Sequence, residues 1–397
     1  MQLHWILSGL LVSAVVATTA EAADAALTPS DVVRAALEND PSLVASQADA
    51  DAAIGARREG VFRLPNPEVS ADLATNGEQR VGGSLVQPVS ISGESIFASR
   101  SASANADAAQ AGAKRAMYVT AANARRAYAR AVLEREKLRF AEEDRTLLSR
   151  LRSIAERRVA AGEGIDLDLR LARLEEARAA AAWLDAQAEA SAADIDLASL
   201  IGAVPGELLP DPLVAISAEP GDSSPRSDVA AAQAATRAAR AALSRERAAR
   251  LPTIGIGGFY ERDDGRVTAG PTVTIPLPLW RQNHAGVAAA AGSLRLAQAQ
   301  EASTSARVAT EEARAAERLR VAEESLAVLA PDLRSEADPA LRGVERLFMS
   351  GKMNLADTLL LRSRVVEGQR ALMEARAAVA VARIDVALAR QSSVLLP

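Results

Sequence analysis

RLPNPEVSADLATNGEQRVGGSLVQPVSI (residues 63–91) and RLPTIGIGGFYERDDGRVTAGPTVTIPL (residues 250–277) decide how this chain is organised. Both stretches open on Arg-Leu-Pro, about 187 residues apart. Both close on an apolar step through proline, Gln87-Pro88-Val89 in one and Ile275-Pro276-Leu277 in the other. In the first, Val69, Ala71 and Leu73 alternate with Ser70, Asp72 and Ala74, the two-residue period of a strand. Asn76-Gly77 then signals a tight turn, and residues 81–91 return as a second strand. In the second stretch, residues 253–261 and 267–276 flank a turn at Asp263-Asp264-Gly265. Each stretch therefore predicts a β-hairpin.

A third landmark has nearly the same offset. Gly162 followed by Asp168 recurs as Gly351 followed by Asp357, about 189 residues on. The chain thus reads as an internal duplication, each half running helix, hairpin, long helix, turn, helix. Residues 1–22 read as a signal peptide, with an apolar run at 5–17 and Ala20-Glu21-Ala22 as the cleavage signal. The first repeat covers 23–209, with its hairpin at 66–91 and its helical hairpin at 93–201. A proline-marked linker, 210–226, leads to the second repeat at 227–397, with hairpin 253–277 and helical hairpin 285–390.

Helix signals fill the remainder. Leu27-Thr28-Pro29-Ser30-Asp31 is a helix start, paused at Asn39-Asp40-Pro41 and resumed to about residue 63. From 93 to 158 there is no proline, so one helix of ~65 residues and ~100 Å is expected. Its Leu147, Leu151 and Ile154 form a stripe for one buried face. Residues 166–201, 227–250 and 355–390 complete the helical set, while 285–333 is expected to break near Pro331 and Pro339.

Of the 397 residues 49% are hydrophobic but only 3% aromatic. Alanine carries much of that total, which suits thin layers of closely packed helices better than a thick globular core. A net charge of −5 offers no basic field for nucleic acid. Cysteine is absent, and His4 and His284 are the only histidines, so thiolate, disulfide and His-pair chemistry lack their residues. No nucleophile–base set and no phosphate loop is visible, and neither an enzyme nor a cofactor is expected.

Two hairpins give four strands near the ~9–11 residues that cross a bilayer as tilted β. Four strands cannot close, and an open edge in lipid costs several kcal/mol per unpaired group, so additional copies are required. Two copies would fill their own interior; three would leave a channel. The expected fold is mainly α with a membrane β part: a long α-helical barrel plus four strands per chain in a trimeric 12-stranded barrel. The alternative is a soluble periplasmic coiled-coil adaptor or scaffold, which would need no bilayer-length hairpins.

The same residues resemble the TolC-like outer-membrane efflux family over almost the whole mature chain. The resemblance rests on Leu27-Thr28 with Ala36-Leu37-Glu38-Asn39-Asp40-Pro41, on Pro65-Asn66-Pro67-Glu68-Val69-Ser70, and on the two glycine turns. Val273-Thr274-Ile275-Pro276-Leu277-Pro278-Leu279, then Arg281-Gln282-Asn283 and Gly286, are similar to the heavy-metal, CzcC-type branch. The resemblance implies a homotrimer in outer-membrane lipid, docked to a periplasmic adaptor and an inner-membrane RND-type pump, and conducting heavy-metal cations passively. It also implies a periplasmic gate at the turns. Asp357 matches one gate carboxylate, and Asp166 and Asp168 occupy the equivalent turn, while Leu360 and Met353 replace polar gate positions. Three copies of Asp357 near an axis would attract cations.

Each candidate also has a plainer reading. Asn354 with Asp357 fits a helix cap and its third residue, and Asp166 could cap the other helix. Gly162 and Gly351 fit left-handed helix ends, with Lys352 and Asn354 beside them as adaptor-tip candidates. Met349 and Met353 are expected to pack rather than bind metal. Tyr260 and Trp280 are candidates for an aromatic belt at the membrane edge, and His284 for an interfacial loop.

Overall fold

The computed structural model describes residues 26–59, 65–75, 79–209, 226–263, 265–276 and 282–397. The signal peptide, the Asn76-Gly77 turn, almost all of the linker and Trp280 lie outside them. Helices α1 (Pro29–Asn39) and α2 (Pro41–Glu59) precede strands β1 (Glu68–Thr75) and β2 (Gln79–Ser90). Helices α3 (Glu94–Ala160) and α4 (Asp166–Ile201) end the first repeat. The second repeats the order with α5 (Ser227–Ala248), β3 (Thr253–Asp263), β4 (Arg266–Thr274), α6 (His284–Met349) and α7 (Leu355–Ala389). The fold is mainly helical, and its duplication is plain in the element order.

Two expectations fail here. Helix α6 continues through Pro331 and Pro339 to Met349 instead of breaking. A proline removes one hydrogen bond and crowds the preceding turn, which kinks a long helix without necessarily ending it. His284 is the first residue of α6, not part of a loop. The preceding Asn283 adopts a left-handed φ of 50°, and its amide donates to the Glu246 carbonyl at 3.0 Å.

The chain divides into two compact units, each drawing on both repeats. One comprises Met1–Ala35, Ala127–Ala215 and Asp332–Ala377. Within it Leu148, Leu151 and Ala155 of α3, Ala172 and Ala179 of α4, Phe348 of α6 and Leu355 of α7 form one core, flanked by Leu147 and Ile154. The expected α3 stripe is therefore the buried one. Burying each leucine is worth about 1.5–3 kcal/mol, so this core is a large favourable contribution to the unit's stability. Arg362 of α7 and Asp144 of α3 form an ion pair with side chains 9% and 10% exposed. Deleting either partner would strand a buried charge. Tyr128 is buried, and its hydroxyl accepts the Leu209 N–H at 2.9 Å and lies 3.0 Å from the Leu27 carbonyl. It thereby holds the Leu27–Leu208 bridge beside α3.

The other unit comprises Ala36–Arg126, Ile216–Pro331 and Ala378–Pro397 and holds the sheet. Its buried helical residues are largely alanine, including Ala121, Ala122, Ala124, Ala234 and Ala238. The strands form one antiparallel sheet in the order β1-β2-β3-β4. Val69 pairs with Leu85, Leu85 with Gly258 and Gly258 with Pro271. A Cβ at Gly257 would collide with the Leu85 carbonyl oxygen, so that close strand approach requires glycine.

Candidate functional site

The strand register sorts the sheet into two faces, because directly paired residues project to the same side. One face carries Val69, Leu73, Val81, Leu85, Ile256, Tyr260, Val267 and Val273. Val69 and Leu73 are each 78% exposed, and Val273 62%. The other carries Ser70, Asp72, Arg80, Ser84, Thr253, Glu261, Thr268 and Thr272. Those polar groups bond to one another: Arg80 pairs with Glu261, and the Ser70 and Ser84 hydroxyls lie 2.8 Å apart. The helices therefore leave an apolar sheet face largely uncovered, and β1 and β4 are each paired on one side only. Tyr260 sits half-exposed on the apolar face.

The glycine turns form the second candidate, in the unit without the sheet. Gly162 and Gly351 have φ of 77° and 74°. In each, the glycine N–H bonds to the carbonyl three residues back, and the next N–H bonds five back. The distances are 3.0 and 2.9 Å at Gly162 and Glu163, and 3.0 and 3.1 Å at Gly351 and Lys352. Both are Schellman closures, as the glycine spacing predicts.

The acidic residues after the turns differ. Asn354 Oδ1 accepts the Asp357 N–H at 2.7 Å, so Asn354 caps α7 with Asp357 as its third residue. Asp166 is not a cap. Ile165 holds that position in α4 with no side-chain bond, and Asp166, one residue further in, pairs with Arg170 at 2.8 Å. Asp168, at the third position, donates its backbone N–H to the Ile165 carbonyl at 3.0 Å. Carboxylates in a first turn still favour the positive end of a helix dipole. No group of three or more acidic or histidine side chains that could hold a metal occurs among the described residues. Asp166, Asp168 and Asp357 are thus not brought into one metal-like cluster within a single chain. Lys352 and Leu360 are exposed beside the second turn. Met353 is partly buried, but Met349 is 57% exposed, so the expectation that it packs fails. It follows Phe348, the helix residue that faces the core.

Arg158 was not anticipated. Its guanidinium lies over the Phe348 ring at 4.9 Å and donates to the Phe348 carbonyl at 2.8 Å. The end of α3 thereby closes the last carbonyls of α6 and ties one turn to the other. An arginine one turn before a helix-ending glycine was the available signal, but its partner lies 190 residues away.

Residues 224–390 match the family model described as outer membrane efflux protein. No curated protein sequence matches the chain. Among solved structures, CusC, described for its transmembrane channel formation, superposes with a TM-score of 0.78 at 17% identity over 92% of both chains. The outer-membrane channel OprN gives 0.76 at 18% identity, over 92% of this chain and 90% of its own. The outer membrane protein VceC from Vibrio cholerae gives 0.73 at 17%, over 92% and 96%. The second repeat thus carries the sequence pattern of outer membrane efflux proteins, and 92% of the chain has the fold of solved outer-membrane channels.

Proposed function

We propose that three copies of this chain form an outer-membrane efflux channel, with β1–β4 of each in a shared barrel of about twelve strands. Helices α3, α4, α6 and α7 line a periplasmic tunnel. The observation that carries this reading is the two-faced sheet with its uncovered apolar side and two half-paired edge strands. In hydrocarbon each unsatisfied backbone group costs several kcal/mol, so β4 of one copy pairs with β1 of the next. The apolar face then meets lipid and the polar face lines the pore, with Tyr260 and Trp280 at the membrane boundary. Residues 1–22 direct export and are removed.

The duct is passive; a periplasmic adaptor and an RND-type inner-membrane pump supply transport. Gly162, Gly351, Lys352 and Asn354 form the tip that meets the adaptor, and Asp166, Asp168 and Asp357 form the cation-attracting gate. Heavy-metal cations are the proposed cargo, on the resemblance of residues 273–286. Fractionation tests the channel: a heat-modifiable trimer in the outer membrane is expected, and recovery only from the soluble periplasm would favour the scaffold reading instead. Gating is tested in single channels, where Asp357→Ala is expected to change cation block. Deleting the chain and scoring divalent-metal sensitivity tests the cargo separately.

A further inference from the structure

In the unit that holds the sheet, a groove between α3, α6 and α7 is lined by Arg115, Arg126, Arg314, Arg318, Glu311 and Asp385. Four guanidiniums share it with two carboxylates, and both carboxylates are already engaged. Asp385 bonds to Arg126 at 2.6 Å and lies 3.7 Å from Arg318. Glu311 is held by Arg226 at 2.8 Å and by Arg307 at 2.7 Å. Arg226 is only 4% exposed and also pairs with Asp228, so Glu311 completes the pairing of that buried guanidinium.

That leaves Arg115 and Arg314 without a carboxylate of their own. Arg115 donates to the Leu388 carbonyl at 3.2 Å, which fills one of five donors and neutralises no charge. Arg314 is exposed, without an ion-pair partner among the described residues. Burial, followed by the nearby Arg226 charge, pushes the Arg115 pKa down despite the opposing pull of Asp228 and Glu311. An anion beside Arg115 would relieve that unfavourable field.

The geometry points to an oxyanion-binding site in this groove, with Arg115 and Arg314 as its principal ligands and a phosphate-type ion as its occupant. Guanidinium is suited to the role: its planar donors meet two oxygens of one phosphate, and it remains charged where half-buried. Arg318, one helical turn from Arg314, extends the positive rim. The site lies apart from the strands and the glycine turns, on three of the helices that line the tunnel proposed above, and phosphate binding there is read without any measurement of conduction.

The test is titration calorimetry of the full chain in detergent with inorganic phosphate, at ionic strength held constant with chloride. Saturable binding is expected, weakened about tenfold or more by Arg314→Gln, a loss of ~1.4 kcal/mol or more. Arg320→Gln, on the same helix but paired with Glu317 and Glu324, should bind as the wild type does. Arg314 and Arg320 are both exposed, so neither substitution opens a core. Absence of saturable phosphate binding would overturn the assignment. So would an unchanged affinity in Arg314→Gln, or an equal loss in Arg320→Gln.

Discussion

The two helical turns close with the same backbone and begin their next helices differently. Gly162 and Gly351 share left-handed φ values and matching hydrogen bonds. Yet α7 starts under a real cap, Asn354, whereas α4 starts at Ile165, which is 67% exposed and offers no acceptor. The second turn is also held from outside by Arg158, while a Cβ at Gly162 would meet nothing within 4 Å. Duplication preserved the left-handed glycine because backbone sterics demand it; capping and cross-bracing were free to diverge. The first turn is therefore the looser of the two.

The largest expected effect comes from removing the brace. Arg158→Ala loses a charged hydrogen bond and a ring contact, so local opening of the second turn should become easier by about 2 kcal/mol. Amide exchange at residues 347–353 would rise while residues 158–165 change less; equal changes at both turns would break the asymmetry. Next is glycine itself. Gly351→Ala should cost about 1–2 kcal/mol through its left-handed φ, with the Arg158 guanidinium 3.5 Å from the new methyl, and Gly162→Ala slightly less. Thermal unfolding of the two variants ranks them.

Asn354→Ala should cost about 1 kcal/mol. Ile165→Asn supplies the missing cap and should gain about 0.5–1 kcal/mol. Together the two substitutions would exchange the behaviour of the turns, as seen by amide exchange at residues 166–169 and 355–358. Smallest is Asp166→Asn, whose exposed pair with Arg170 is worth under ~1 kcal/mol. A large melting shift there would mean that Asp166 has a contact beyond a single chain.

A further divergence lies at the ends of α4 and α7. Gly202 closes α4 with φ 73°, but the matching position after α7 is Gln391, at φ 53°. A non-glycine there is strained, and its side chain explains why it is kept. Its Oε1 accepts the buried Ser227 N–H at 2.7 Å, satisfying a donor at the start of α5. No local pattern at 391 could announce a partner 164 residues earlier.

Periodicity and turn chemistry were strong enough to make the architecture legible. Alternation at 69–73, Gly265 after two aspartates, and the proline-free run to residue 158 identify strands, turn and helix from local sterics alone. Helix α4 runs over Asp166–Ile201, the range its sequence predicts. Local rules misled where a long helix absorbed Pro331 and Pro339, and where Asp166 looked like a cap one residue too late. Of the candidate site, the glycine closures and the Asn354 cap were readable because each bonds within five residues. Arg158, the Arg362–Asp144 pair and the Arg226 network were not, since each joins segments far apart in sequence.

By itself, then, the sequence determined the duplicated order of elements, the left-handed turns and the alternating strands, all consequences of φ/ψ sterics and hydrophobic period. Only the tertiary structure decided which strand edges stay half-paired, that one sheet face is mostly apolar and which arginines lack a carboxylate. Those depend on register and on long-range approach, where one residue of slip or one distant partner changes the physics.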